Sequence, residues 1–161
     1  GLNIPAKREA LVKLVTELQE EGIAIDGVGM QAHYYLGDFS MDEFEKSIET
    51  YTSMGLDVQL TELDISIYPY GESDTVYEEL PETLAAIQTT MFDGIFGIAR
   101  EYSEPKAEGY GSVRGVTMWG VADDLSWLDS TPIANRKNWP LLFDEEHQPK
   151  SAYYAVVDFD R

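Results

Sequence analysis

Gly55-Leu56-Asp57-Val58-Gln59-Leu60-Thr61-Glu62-Leu63-Asp64-Ile65-Ser66-Ile67 decides how this chain folds. An apolar run leaves a helix-stopping glycine and becomes a strand. Two carboxylates then appear, Glu62 and Asp64, in a segment otherwise built for burial. Successive strand side chains point to opposite faces, so these two acids are expected to face the same way. An unpaired buried charge is costly, so two like charges on one buried face need partners or a task. The alternative is a strand that runs out into solvent with both acids merely hydrated.

Upstream, residues 5–21 read as a helix: Pro5 suits the first helical position, and Leu11, Leu14, Val15 and Leu18 fall on one stripe. Gly22 stops it, and residues 23–33 form a short strand that starts apolar and ends with Gln31 and His33 on a shared face. Ser40 and Glu43 read as a capping box, with Glu43 reaching back, for a helix carrying Phe44, Ile48 and Tyr51. Downstream of the acidic strand comes a polar loop from Pro69 to about Tyr77, containing Gly71, Glu72, Ser73 and Asp74. A long helix follows over about residues 81–102, with Leu84, Ile87, Met91, Ile95 and Ile98 inward and Gly94 and Gly97 as close-packing positions. A third strand spans 113–119, a turn-rich loop holds Trp127, Arg136 and Trp139, and a short helix runs over about 150–157. Arg136 is expected to pin that loop through a carboxylate, and His147 to lie at the surface.

Strand and helix alternate three times after an opening helix, the grammar of an α/β protein with a parallel sheet. Three parallel strands are predicted near 26–32, 57–63 and 113–119. The opening helix lacks a preceding strand, and three parallel strands leave apolar edges uncovered. A (β/α)8 TIM barrel takes about 250 residues, so residues 1–161 correspond to roughly the last three and a half βα units of one. A further N-terminal half of the same barrel is therefore an expected partner.

The chain has 161 residues, 43% of them hydrophobic, enough for a real core. Thirty acids against eleven bases give a net charge of -19, which opposes nucleic-acid backbones and anionic membranes and tolerates a neutral ligand such as a sugar. No apolar run is long enough to insert into a membrane, and no signal-peptide pattern is visible. The absence of cysteine removes disulfides and thiolate metal sites, and no cofactor is expected.

Each strand passes from apolar to functional at its C-terminal end, where barrel enzymes place reactive groups. The first offers Gln31 and His33, the second Glu62 and Asp64, the third Trp119 with Asp123 and Asp124 beyond. Glycosyl transfer with retention suits this set. It needs a carboxylate nucleophile about 5–5.5 Å from a second carboxyl acting as acid and base. His33 could hold the nucleophile, Asp64 could fix the His33 tautomer, and Trp119 and Trp127 offer flat faces to sugar rings. Two other classes stay open. One is a metal-dependent barrel hydrolase using His33, Glu62, Asp64 and Asp123 as ligands. The other is a non-catalytic carbohydrate-binding fragment.

The stretches Gly27–His33, Thr61-Glu62-Leu63-Asp64, Val116–Trp127 and Trp139–Asp144 with Pro149–Tyr154 together resemble the motifs of glycoside hydrolase family 10, the endo-1,4-β-xylanases. The likeness covers essentially the whole chain, with the order and spacing of that family's C-terminal half. It implies a retaining, double-displacement hydrolysis of xylan or xylo-oligosaccharides. By the resemblance Glu62 is the nucleophile, His33 and Asp64 support it, Gln31 and Trp119 line the subsite of the reacting sugar, and Trp127 caps the cleft. The family's acid/base glutamate has no counterpart in this chain, which would then be inactive without the N-terminal half. Ala32 stands where the family usually has Gly, Tyr34 where Trp is common, and Met118 where Phe is frequent. A secreted or cell-surface, periplasmic location is implied as well.

Overall fold

The computed structural model describes residues 1–69 and 74–158. Gly71, Glu72 and Ser73 of the expected polar loop lie outside the described residues. The elements are α1 (Pro5–Glu20), β1 (Gly27–Met30), β2 (His33–Tyr35), α2 (Met41–Ser53), β3 (Asp57–Ser66), α3 (Glu82–Glu101), β4 (Val113–Met118) and α4 (Ser151–Val157), with 3₁₀ turns at Asp123–Leu125 and Trp127–Asp129. Two compact units divide them. The first holds residues 1–32, 40–62 and 97–117, and the second holds 33–39, 63–96 and 118–161.

In the first unit β1 pairs parallel with β3, in register from Gly27↔Asp57 to Met30↔Leu60. In the second, β2 pairs parallel with β3 from His33↔Asp64 to Tyr35↔Ser66. β4 pairs with β3 as well. The Val58 N–H donates to Ser112 O and the Trp119 N–H to Leu63 O, so the partners advance together as in a parallel pair.

The first strand is thus not continuous over 26–32. Ala32 takes φ of 70°, in the left-handed region, and ends the extended run. The simple two-residue alternation linking Gln31 to His33 is broken there. A matching change occurs on β3. Two residues, Gln31 and Ala32, stand against three, Thr61, Glu62 and Leu63, which is the count of a β-bulge. Burial follows it. Leu56, Val58 and Leu60 are fully buried at even positions, and Leu63 and Ile65 at odd ones. Had the first phase continued, Glu62 would follow Val58 and Leu60 into the apolar face. It stands instead half-buried at the change of phase, and Asp64 falls opposite Leu63 and Ile65.

The helices correct several expectations. Ser40 Oγ accepts the Glu43 N–H at 3.3 Å, but Glu43 does not close the box. Its carboxylate lies 2.9 Å from Arg8, a buried guanidinium that also donates to Ser47 Oγ. A buried charge takes the acid in preference to a solvated backbone N–H. The buried stripe of α1 accordingly runs through Arg8 and Val15, while Leu14 is exposed. On α3, Met91, Ile95 and Ile98 point inward, but Gln88 replaces Ile87, which is exposed. Gln88 Nε2 donates to the Ile65 and Trp139 carbonyls at 2.8 and 2.7 Å, satisfying acceptors that an isoleucine would leave bare. Gly97 is no close-packing position, since a Cβ there would meet nothing within 4 Å.

In the second unit a buried ion pair fastens the chain's closing segment. Lys150 Nζ lies 2.9 Å from Asp123 Oδ2 and donates to the Trp139 and Leu141 carbonyls. Asp123 Oδ1 accepts the Leu141 N–H at 2.8 Å. Desolvation by burial pushes the Asp123 carboxyl up to about 6, against the pull of Lys150. Arg136, buried, lies over the Tyr68 ring at 4.1 Å.

Two outcomes are expected in chemical denaturation. Ala32→Gly stabilises the fold by up to about 1 kcal/mol, because relief of left-handed strain outweighs glycine's extra unfolded-state freedom. A loss of stability instead would mean that packing of the buried methyl dominates. Lys150→Met costs about 3–5 kcal/mol, since Asp123 keeps its burial and loses its cation. Adding Asp123→Asn to it should recover part of that loss.

Candidate functional site

The first unit places Glu62 and Gln31 on neighbouring strand ends. The Glu62 N–H donates to the Gln31 carbonyl at 2.8 Å, one step beyond the last β1–β3 pair. Thr61 Oγ1 donates to the Met30 carbonyl at 3.2 Å, a side-chain tie beside the bulge. Gln31 is exposed and Glu62 half-buried, so both are open to a ligand from solvent.

The second unit builds a cluster around Asp64, which has no solvent access. Its Oδ2 lies 3.0 Å from His33 Nδ1 and accepts the Trp127 indole N–H at 2.7 Å. The pairing register explains the first contact, because His33 sits directly across from Asp64 on β2 and β3. The short 3₁₀ turn Trp127–Asp129 explains the second, since Ser126 Oγ caps it by accepting the Leu128 N–H and so sets where the indole begins. Ionised carboxylates accept strong hydrogen bonds, so the indole N–H stabilises a charge that burial penalises, with the imidazole nitrogen at ion-pair distance from the same oxygen.

Trp119 follows β4 directly and bonds through its backbone to Leu63. Its ring meets that of His33 edge-on at 6.2 Å, and the Trp127 ring meets it at 5.1 Å. The imidazole therefore lies against a carboxylate and is bordered by two indoles. Trp119 remains 47% exposed, so an apolar aromatic surface faces outward beside a polar group. That combination suits the C–H faces and hydroxyls of a sugar ring.

The structure thus brings His33, Asp64, Trp119 and Trp127 together in one unit, and Gln31 with Glu62 in the other. Trp127 serves as a hydrogen-bond donor to Asp64, a role the sequence reading did not assign. Its signal was present in the position of a tryptophan inside a polar, turn-rich loop. Lys150 was missed because a lone lysine before a helix looks like surface. Asp123 is committed to Lys150 and the Leu141 N–H, which takes one ligand from the metal-hydrolase alternative. Among the described residues no group of three or more acids and histidines is placed to hold a metal ion. His147 is at the surface as expected, with Nε2 3.1 Å from Asp124.

The model of glycosyl hydrolase family 10 matches residues 2–159. An endo-1,4-β-xylanase of Geobacillus stearothermophilus is 40% identical over 154 residues, covering 96% of this chain and 44% of the relative. The solved structure of CbXyn10B in native form superposes with a TM-score of 0.88 at 38% identity, covering 99% of this chain and 46% of that one. A mutant structure in complex with xylotriose matches equally, with a TM-score of 0.88 and 38% identity, over 99% of this chain and 47% of that one. The chain therefore spans a little under half the length of these relatives. Such xylanases are TIM barrels, and the parallel strands and helices described above are those of part of one. On the match of nearly its whole length, the chain belongs to glycosyl hydrolase family 10.

Proposed function

We propose that this chain is the C-terminal part of a retaining endo-1,4-β-xylanase and carries its nucleophile. The observation that supports this best is a family member's Thr-Glu-Leu-Asp strand whose second acid is buried on an imidazole and an indole. In this reading Glu62 attacks the anomeric carbon of the xylose unit, forming a covalent glycosyl–enzyme bond as the glycosidic oxygen leaves. A second carboxyl protonates that oxygen, then takes a proton from the water that hydrolyses the intermediate. The second carboxyl, and the N-terminal half of the barrel that holds it, come from a segment beyond these residues.

His33 and Asp64 support the nucleophile. The Asp64 carboxylate 3.0 Å from Nδ1 favours a proton on that nitrogen and fixes the ring plane. Gln31 and Trp119 line the subsite of the reacting sugar, and Trp127 closes it while holding Asp64. The ligand is xylan or a xylo-oligosaccharide, as the relative bound to xylotriose suggests by analogy. A neutral polysaccharide is compatible with a net charge of -19. A polymer of that kind does not cross membranes, which favours a secreted or cell-surface, periplasmic location.

The chain is tested together with the N-terminal half of the barrel. Glu62→Ala should lower xylan hydrolysis on the order of 10⁴-fold or more while leaving substrate binding largely intact. Azide should partly restore turnover of an activated xyloside, giving a product of inverted anomeric configuration where the parent retains it. Near-parent turnover by Glu62→Ala without azide would end the proposal. Trp127→Phe keeps an aromatic ring but removes one charge-assisted hydrogen bond worth about 1.5–3 kcal/mol. It should lower kcat/KM roughly 10- to 100-fold and shift the pH profile of the reaction. A Trp127→Phe enzyme with an unchanged profile would separate the indole N–H from the chemistry.

A further inference from the structure

A second pocket lies in the first unit, where α2 ends and the chain after α3 turns toward β4. Its volume is about 270 Å³, and Glu49, Thr52, Tyr102, Lys106 and Tyr110 line it. It sits at the start of β3, where the Gly111 N–H donates to the Thr52 carbonyl. Glu62 is five residues further along the same strand, about 16 Å away at the rise of a β-strand. The pocket is therefore distinct from the nucleophile's end of the strand. β3 is paired on both sides here, by Asp57–Leu60 to β1 and by the Val58 N–H to Ser112. Any added strand must join beyond β1 or β4, while the pocket is lined by segments leading into β3 and β4.

Its walls are held in place before any ligand arrives. Gly109 takes φ of 80°, and a Cβ on Gly111 would overlap the Leu56 backbone, so only glycine lets this loop lie so close to the end of α2. The Gly111 N–H then ties the loop down at 2.9 Å. On the other wall Lys106 Nζ lies 4.6 Å over the Tyr102 ring and 2.8 Å from Glu101. Tyr102 is almost fully buried, whereas Tyr110 is 39% exposed and Glu49 is exposed. A preformed pocket of this kind spends little of its binding free energy on ordering.

The lining selects a neutral ligand. Glu49 is exposed, and Glu45, Glu49 and Glu101 surround Tyr102, whose phenol burial first and these charges second push upward. An anion meets that field, and the place of a cation is already taken by Lys106 paired with Glu101. What the pocket offers is the partly exposed ring of Tyr110 as aromatic surface and the Glu49 carboxylate as an acceptor. At about 270 Å³ it falls just below the roughly 300–1,000 Å³ of drug-sized sites, so it takes a group the size of one or two sugar rings.

We propose that this pocket is a secondary, non-catalytic site for a neutral xylo-oligosaccharide segment, with Tyr110 as its stacking surface and Glu49 as its hydrogen-bond acceptor. The proposal rests on the xylanase reading for its ligand. A polymer held here and at the catalytic cleft gains avidity from the raised effective concentration of its second segment.

The test is titration of the intact protein with xylohexaose, followed by the amide resonances of Glu49, Lys106 and Tyr110 and, separately, of Trp119. Saturable shifts at the pocket that persist in Trp119→Ala are expected. Tyr110→Ala and Glu49→Gln, both at exposed positions, should each weaken pocket binding at least 10-fold. Retention on insoluble xylan should fall with them, while xylotriose hydrolysis and thermal stability stay unchanged. Shifts at Trp119 without shifts at the pocket would overturn this site and leave the xylanase reading standing. No shift at either place would remove both. Unaltered pocket affinity in Tyr110→Ala and Glu49→Gln would likewise overturn the assignment.

Discussion

Backbone alternation gives a strand one apolar face and one other, and β3 must use both within ten residues. Its first part buries Val58 and Leu60, and its last part buries Leu63 and Ile65. A single extra residue between Leu60 and Asp64 is what makes these two requirements compatible. That residue moves the apolar stripe from even to odd positions. The acids Glu62 and Asp64 are thereby spared the apolar face to which the first phase would have assigned Glu62. A bulge leaves one residue without a regular ladder partner, and Thr61 Oγ1 on the Met30 carbonyl supplies a local tie beside it. Ala32, in the left-handed region on the facing segment, belongs to the same local departure from regular pairing. A glycine, usual in the family at this position, enters that region without a Cβ penalty.

Arg8, the Asp123–Lys150 pair and Asp64 show how differently the fold can settle the same problem. Arg8 is shared between Glu43 and Ser47, across two helices. Asp123 and Lys150 neutralise each other and saturate three backbone groups of the closing segment, which makes them structural. Asp64 instead accepts the Trp127 indole N–H and lies 3.0 Å from the His33 imidazole. The last arrangement differs in kind, because an imidazole changes charge near neutral pH and an ammonium does not. A carboxylate beside an imidazole is suited to the site proposed above, whereas one locked to a lysine is an anchor. The two sit in one unit, and the anchored closing segment carries Trp139 and Leu141 into its core.

Much of this was legible in residue order alone. The alternation of strands with helices, the glycine stops at Gly22 and Gly55, the proline start at Pro5 and the Ser40 cap all act through local backbone geometry, so they could be read without contacts. The acids of Thr-Glu-Leu-Asp and the His33 opposite them were legible for the same reason, since a charge inside an apolar strand is anomalous wherever the strand lies. Even the bulge left a trace, in Leu56, Val58 and Leu60 giving way to Leu63, Ile65 and Ile67.

Tertiary structure decided what depends on pairing at long range. Periodicity could not say that Glu43 prefers Arg8 to its own backbone, that Gln88 takes the inward place expected for Ile87, or that Lys150 is drawn inside by Asp123. In each case a polar group displaces an apolar or solvated alternative, because a distant acceptor or charge would otherwise be buried without a partner. Helical and strand periods count only hydrophobicity along the chain. They are blind to a hydrogen-bonding need created 27 residues away, as between Asp123 and Lys150. The same limit hid the Trp127 indole from Asp64 across 63 residues, although both were read as functional. The sequence by itself determined which residues are candidates for the chemistry and in what order the elements come. Only the packed chain decided which charges are neutralised and by whom, since desolvation exists only once the fold has excluded water.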